Sequence, residues 1–254
     1  MDRERLQREK QSYDSGSIKR KKLLSVLRYC YFYQDASMRL KVKEQLENNG
    51  PSKCLELGSR TWYGWMHLNN YFPDSLHCIN LSDRELMGGV KLNAELPYEI
   101  DFSIMDAHNL EFESNSFDLV FGRGILHHLE LKSALHEVKR VLKNDGIIIF
   151  HEPLDINPLY KLYRLLTPKQ RTKDEKAFGL KELQAVKSHF SVEIYYYNIV
   201  SIPLGCLAYI IFKNHKNFIS RFAAKIDSLL CKTPFLQLLS SKCLIVSKSS
   251  YTNM

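Results

Sequence analysis

Four stretches of the sequence concentrate side chains able to grip a polar ligand or move a proton. Glu56-Leu57-Gly58-Ser59-Arg60 places an acid, a glycine and a cation within five residues. Asp106-Ala107-His108 follows a short apolar run, and His127-His128 and His151-Glu152 each sit near the end of another. A histidine titrates close to neutrality, so His127, His128 or His151 could take a proton from a hydroxyl or amine acceptor. The plainer alternative also stands: one of the paired histidines packs in the core, the other steadies a helix start, and His151-Glu152 is a turn leading to Pro153. Gly58 lacks a Cβ and would let backbone approach a ligand closely. Six scattered cysteines show no C-x-x-C spacing and no cluster with histidine, so no metal site is expected and a reducing compartment suits them.

The elements that must carry these residues follow from the apolar pattern. Cys54–Leu57, Leu76–Leu81, Ile100–Met105, Phe117–Phe121 and Gly146–Phe150 read as strands bounded by turn residues. Several show little alternation, as expected of parallel strands buried on both faces. Leu131–Leu142 has Leu135, Val138, Val141 and Leu142 at helical spacing, with Glu137, Lys139 and Arg140 opposite. Strands and helices alternating in this rhythm make βαβ units and a doubly wound sheet, whose ligands bind beyond the carboxyl ends of the strands. The loops after Leu57, Leu81, Met105 and Phe121 are therefore where a site should form. Further on, a segment containing Pro153, Pro158 and Pro168 leads to a helix over Leu180–His189, a β-rich run Val192–Tyr197 and a last strand at Cys243–Val246.

Composition bounds the classes. Of 254 residues, 44% are apolar and 25% charged, which is globular and excludes a disordered or collagenous chain. The formal charge of +8 divides unevenly. Residues 1–50 hold 12 basic against 7 acidic side chains, residues 51–150 hold 9 against 14, and residues 151–254 hold 15 against 7. A nucleic-acid surface would want a denser basic stripe interleaved with aromatics, and the run Ile18-Lys19-Arg20-Lys21-Lys22-Leu23 alone does not supply one. No secretory signal is evident at the N-terminus and no apolar run reaches a bilayer's span, so a cytoplasmic protein is expected.

Together the strand-end loops resemble the class I S-adenosylmethionine-dependent methyltransferases, the Rossmann-like, type 11 methyltransferase group. The resemblance rests on Met105-Asp106-Ala107-His108-Asn109-Leu110-Glu111-Phe112, Ser116-Phe117-Asp118-Leu119-Val120, Ile125-Leu126-His127-His128-Leu129, and Glu137 through Gly146. It implies an α/β fold with a seven-stranded, mostly parallel sheet, an N-terminal helical arm over 1–48, a core over 49–198, and a helical cap over 199–254 with the last strand. It implies S-adenosylmethionine as cofactor, held by Glu56, Gly58, Ser59, Arg60, Asn80, Leu81, Asp106, Ala107, His108 and Gly122. In that assignment Asp106 accepts from the adenine amino group, and Glu56 reaches the amino-acid head through backbone and water. The implied activity is methyl transfer to an O, N or C nucleophile of a small-molecule or lipid-linked acceptor. A non-catalytic binding protein on this fold and an RNA methyltransferase are the alternatives. A nicotinamide enzyme is disfavoured because no G-x-G-x-x-G follows the first strand.

Two departures bear on the site. The family's Glu-x-Gly-x-Gly-x-Gly here reads Glu56-Leu57-Gly58-Ser59-Arg60-Thr61-Trp62, with two glycines replaced by large residues. Arg60 is expected to meet the cofactor carboxylate or to fold away. After the second strand the usual acid is Asn80, with Asp83 three residues on as a substitute. Trp62, Tyr63 and Trp65 could stack on a ligand or pack a helix onto the sheet. Finally, the apolar run 199–212 precedes a basic amphipathic stretch carrying Lys213, Lys216, Arg221, Lys225 and Lys232. That pattern suits either a lid over the substrate crevice or a helix lying on an anionic membrane surface.

Overall fold

The computed structural model describes residues 21–94, 96, 99–158, 161 and 178–247. The first twenty residues of the expected arm, the start of the basic run and Pro168 lie outside the described residues. Helix α1 (Lys21–Asn49) leads into β1 (Lys53–Leu57), a short α2 (Thr61–Trp65), β2 (Ser75–Asn80), α3 (Asp83–Asn93), β3 (Asp101–Ile104) and β4 (Phe117–Arg123). Helix α4 (Leu131–Val141), β5 (Leu142–Pro153), α5 (Leu180–His189) and β6 (Val192–Tyr197) follow. Two cap helices, α6 (Ser201–Ile211) and α7 (Phe218–Leu230), precede β7 (Lys242–Ser247).

The strands form one seven-stranded sheet in the order β3-β2-β1-β4-β5-β7-β6. Strands β1 to β5 run parallel, and β7 is antiparallel to both of its neighbours. Each face carries a core. On one side Ile147 and Ile149 pack with Leu244, Trp62 and Trp65 against Met38, Val42 and Leu46 of α1. On the other, Ile148 and Phe150 meet Ile245 and the α4 stripe Leu135, Val138 and Val141. Successive residues of β5 thus enter opposite cores, which is why this strand shows no polar alternation in sequence. Strand β3 is the exception. It lies at the sheet edge, and both Asp101 and Ile104 are exposed.

Lys143-Asn144-Asp145, which reads as a turn, lies within β5 as a bulge. Phe117 pairs with Leu142 while Leu119 pairs with Ile147, so extra residues of β5 loop out between them. Turn chemistry is real here, but flanking pairing keeps the segment in the sheet.

The cap seats on the arm. At Gly205 of α6 an added Cβ would lie 2.6 Å from the Cys30 Cα, so α6 and α1 touch backbone to backbone. Buried Asp227 of α7 accepts from Ile199 N, Val200 N and Ser201 N at 2.8–3.2 Å, satisfying donors at the start of α6. Gln34 of α1 donates to the same carboxylate.

Candidate active site

The loops at the carboxyl ends of β1, β2, β3 and β4 enclose a cleft of about 220 Å³. Leu57, Ile79, Met105, Ala107, Ile125 and Leu129 make it largely apolar, while Asn80, Glu85, Arg123 and His128 supply polar groups. This is the place where a doubly wound sheet takes its ligand.

Gly58 opens the cleft as its residue type requires. Its φ is +129°, a conformation closed to most side chains, and its N–H donates to Ile79 O at 2.8 Å. The following replaced glycines need no such freedom. Among the described residues, only Asn70, Asn115 and Asn198 are non-glycines with positive φ, and Arg60 sits at −143°. Trp62 turns away from the cleft into the α1-side core, where it is fully buried and its indole N–H donates to Ser59 O. The large residues are therefore compatible with an open pocket. They also bring a reorganised role for the acid, because Glu56 is fully buried and lies behind the cleft. Its carboxylate accepts from Arg60 N, Thr61 N and Trp62 N at 2.7–3.2 Å, capping α2. Burial pushes this carboxyl above its usual range, against the pull of those backbone donors. Its contribution is to shape the loop.

Arg60 and Glu85 form an ion pair, and both line the cleft. The guanidinium lies along α3, 3.4 Å from where a Gly88 Cβ would stand. Asp83 is exposed in the first turn of α3 and does not line the cleft; Glu85, two residues later, takes its place there. Reading along the loop could not find Glu85, since only the helical turn after the Ser82 cap rotates it toward β1. Asn80 lines the cleft, but its Oδ1 already accepts from Ser82 N at 3.0 Å.

Asp106, assigned above as the adenine acceptor, has one carboxylate oxygen engaged with His108. Oδ1 accepts from His108 N at 3.0 Å and meets Nδ1 at 2.5 Å. Burial works against this charge, but the His108 hydrogen bonds outweigh it and hold the carboxyl below its ordinary value. His108 Nε2 in turn accepts from Glu130 N at 2.9 Å, tying the loop after β3 to the start of α4. Of this trio only Ala107 lines the cleft. Gly122 lies beneath it; a Cβ there would meet Leu57 O at 2.8 Å.

The three histidines separate. His128 lines the cleft. His127 packs against it with ring centroids 4.0 Å apart, and its Nδ1 lies 2.6 Å from Glu152 Oε2. Glu152 also accepts from Ile125 N and Leu126 N, so it is acceptor on both oxygens and assigns the Nδ1 proton to His127. His151 points to the α1 side of the sheet behind the cleft, and among the described residues neither ring nitrogen has a hydrogen-bond partner. Burial, then the nearby Arg123 and Lys242 charges, push its pKa well below 6.5. The folded protein therefore binds fewer protons than the unfolded chain below that value, so stability falls as pH drops through about 6.5. The expected slope from this residue is about 1.4 kcal/mol per pH unit, and His151→Leu should flatten thermal-melting curves recorded from neutral to mildly acidic pH.

Beside His151, Lys242 Nζ and Arg123 both face Asp35 of α1, at 3.0 and 3.5 Å. Burial lowers the Lys242 ammonium to about 8, with Asp35 opposing that shift. No residue of 199–240 lines the cleft. The cap thus does not cover the cleft, because Gly205 and Asp227 fasten it to α1.

This sheet order, with a cleft at the ends of its first strands, defines a Rossmann-like domain of the methyltransferase type. Residues 55–150 match the family described as "Methyltransferase domain". Over that segment the chain is a class I S-adenosylmethionine-dependent methyltransferase domain. It is 28% identical over 100 residues to the phosphoethanolamine N-methyltransferase of Plasmodium falciparum, covering 37% of this chain and 35% of that one. A 48-residue stretch is 50% identical to an uncharacterised protein of Methanocaldococcus jannaschii, 18% and 19% of the two chains. The chain therefore matches about a third or less of the length of these curated relatives. Among solved structures, geranyl diphosphate C-methyltransferase from Streptomyces coelicolor A3(2) aligns with TM-score 0.56 at 14% identity, over 82% and 76% of the chains. The cyclase SpnF aligns with TM-score 0.54 at 16% identity, over 84% and 80%. These structures share the fold. Among the described residues no helix is long and apolar enough to cross a membrane.

Proposed function

We propose that the protein transfers the methyl group of S-adenosylmethionine to an O, N or C nucleophile of a small-molecule or lipid-linked acceptor. The observation that carries this reading is the cleft itself, apolar where a purine ring would lie and bounded by Gly58 at φ +129°. Ala107, Met105, Ile125 and Leu129 would hold the adenine, Asn80 the ribose, and Gly58 to Arg60 the amino-acid end. When bound, the cofactor supplies a methyl carbon activated by a sulfonium. The acceptor's nucleophilic electron pair would take up this methyl, and the cofactor would leave as a neutral thioether. Exclusion of water and alignment carry much of such a displacement. His128, at the cleft wall, is positioned to receive a proton from a protonated acceptor, and Glu152 orients its neighbour His127.

Arg123, at the cleft, with Lys242 and His151 behind it, favours an acceptor bearing an anionic group. Arg123 shares the Asp35 carboxylate with Lys242, so one acid faces two basic groups beside the cleft. The Plasmodium relative's name also denotes a phosphate-bearing acceptor. The acidic balance of residues 51–150, which hold the cleft, speaks against RNA.

Calorimetry with S-adenosylhomocysteine tests the reading. Micromolar affinity is expected, weakened about tenfold by Asp106→Ala (about 1.4 kcal/mol) through loss of the His108 tether. A folded wild-type protein that binds neither cofactor form would establish the non-catalytic alternative. Arg123→Gln should leave that affinity within a factor of a few while raising KM for an anionic acceptor.

A further inference from the structure

Cap helices α6 and α7 turn their small and polar residues toward the protein and their large apolar ones toward solvent. In α7, Ser220, Ala223 and Asp227 are buried, whereas Phe218 and Leu229 are each 70% exposed and Phe222 is 60% exposed. At 3.6 residues per turn Phe218, Phe222, Lys225 and Leu229 share one stripe, opposite the buried three. Helix α6 repeats the arrangement: Gly205 and Ala208 face inward, and Leu207, Ile210 and Ile211 outward. Phe235, in the turn after α7, is 80% exposed. Of fifteen exposed large hydrophobics among the described residues, eight fall within 207–239, so this is a concentrated patch rather than ordinary scatter.

The charges there have one sign. Residues 201–239 contain Lys213, Lys216, Arg221, Lys225 and Lys232, and their one acid, Asp227, is buried. We propose that this outward face of α6, α7 and the turn through Phe235 docks on an anionic lipid membrane. The apolar side chains would sink to the headgroup boundary while the lysines meet lipid phosphates and carboxylates. A second copy of the chain fits less well, because it would bring five further cations against these five. Leu, Ile and scattered Phe side chains do not make a stacking platform for nucleic-acid bases. The inference stands on the cap alone and does not depend on the methyl-transfer reading.

Cosedimentation of the full chain with vesicles tests it, comparing phosphatidylserine mixed equally with phosphatidylcholine against phosphatidylcholine alone. Binding is expected to the anionic vesicles at low salt and to fall steeply as salt rises. Lys213→Glu with Lys225→Glu should weaken the partition about twentyfold or more, at about fivefold per cation lost. Phe222→Ser with Phe235→Ser should weaken it as well, and both pairs alter exposed side chains, so thermal melting should match the wild type. Failure to pellet with anionic vesicles overturns the proposal. So does a concentration-dependent dimer abolished by the phenylalanine pair in a protein that ignores vesicles. S-adenosylhomocysteine affinity, measured on the same samples, reports the cleft separately.

Discussion

Gly89→Ala should destabilise the protein by about 3 kcal/mol and lower S-adenosylhomocysteine affinity more than tenfold. An added Cβ at Gly89 would stand 2.1 Å from the Ser59 carbonyl oxygen and 2.8 Å from the Phe102 ring. The obstruction is backbone and cannot rotate away. Helix α3 would have to retreat from the loop after β1, carrying Glu85 away from Arg60 and widening the cleft between them. Alanine ordinarily favours a helix over glycine by about 1 kcal/mol, so the sign of the effect is itself diagnostic. Gly64→Ala, in α2 with nothing within 4 Å of the new methyl, should show that ordinary gain. Denaturant unfolding of the two variants checks the stabilities. Equal behaviour of the pair would refute the close packing of α3 on the glycine loop.

Glu152→Ala should cost about 3 kcal/mol of stability and abolish measurable cofactor binding. The carboxylate is fully buried and holds Ile125 N, Leu126 N and His127 Nδ1 at 2.6–2.9 Å. Its removal strands two backbone donors and an imidazole in a dry interior, each at roughly 1–3 kcal/mol before relaxation. The same segment supplies Gly124, Ile125, His128 and Leu129 to the cleft wall, so the loss reaches the site directly. Glu152→Gln separates structure from chemistry. Its remaining carbonyl can keep both backbone donors, but its NH₂ faces His127 and drives the ring to the opposite tautomer. The glutamine variant should therefore fold and bind S-adenosylhomocysteine near normally, yet lose turnover and shift its pH profile. If it matches the wild type in turnover, the His127 tautomer has no part in the reaction.

Much of the architecture was legible in the chain. The apolar runs at Cys54–Leu57, Leu76–Leu81 and Phe117–Phe121 become neighbouring parallel strands, and Leu180–His189 and Val192–Tyr197 form the expected elements. Local patterns suffice there because burial on one or two faces imposes its period directly on the residues. The Lys143–Asp145 segment departs from its turn composition for the complementary reason: flanking strand pairing holds it within β5 as a bulge.

Sequence alone determined the α/β fold class, the loops that build the cleft, the demand for glycine at position 58 and the basic excess of the cap. It could not determine what each loop side chain does, because that depends on contacts between residues far apart in the chain. Glu56 and Trp62 look like pocket residues until the packing of α2 under α1 turns both inward. Glu85 reaches the cleft only through the turn of α3, and Asp106 is claimed by His108. The sharpest case is the cap. An amphipathic pattern specifies that a helix has two faces, but the tertiary fold decides which one turns inward. Here Gly205 against Cys30 and Asp227 at the start of α6 bury the small and polar face, leaving the apolar one outside.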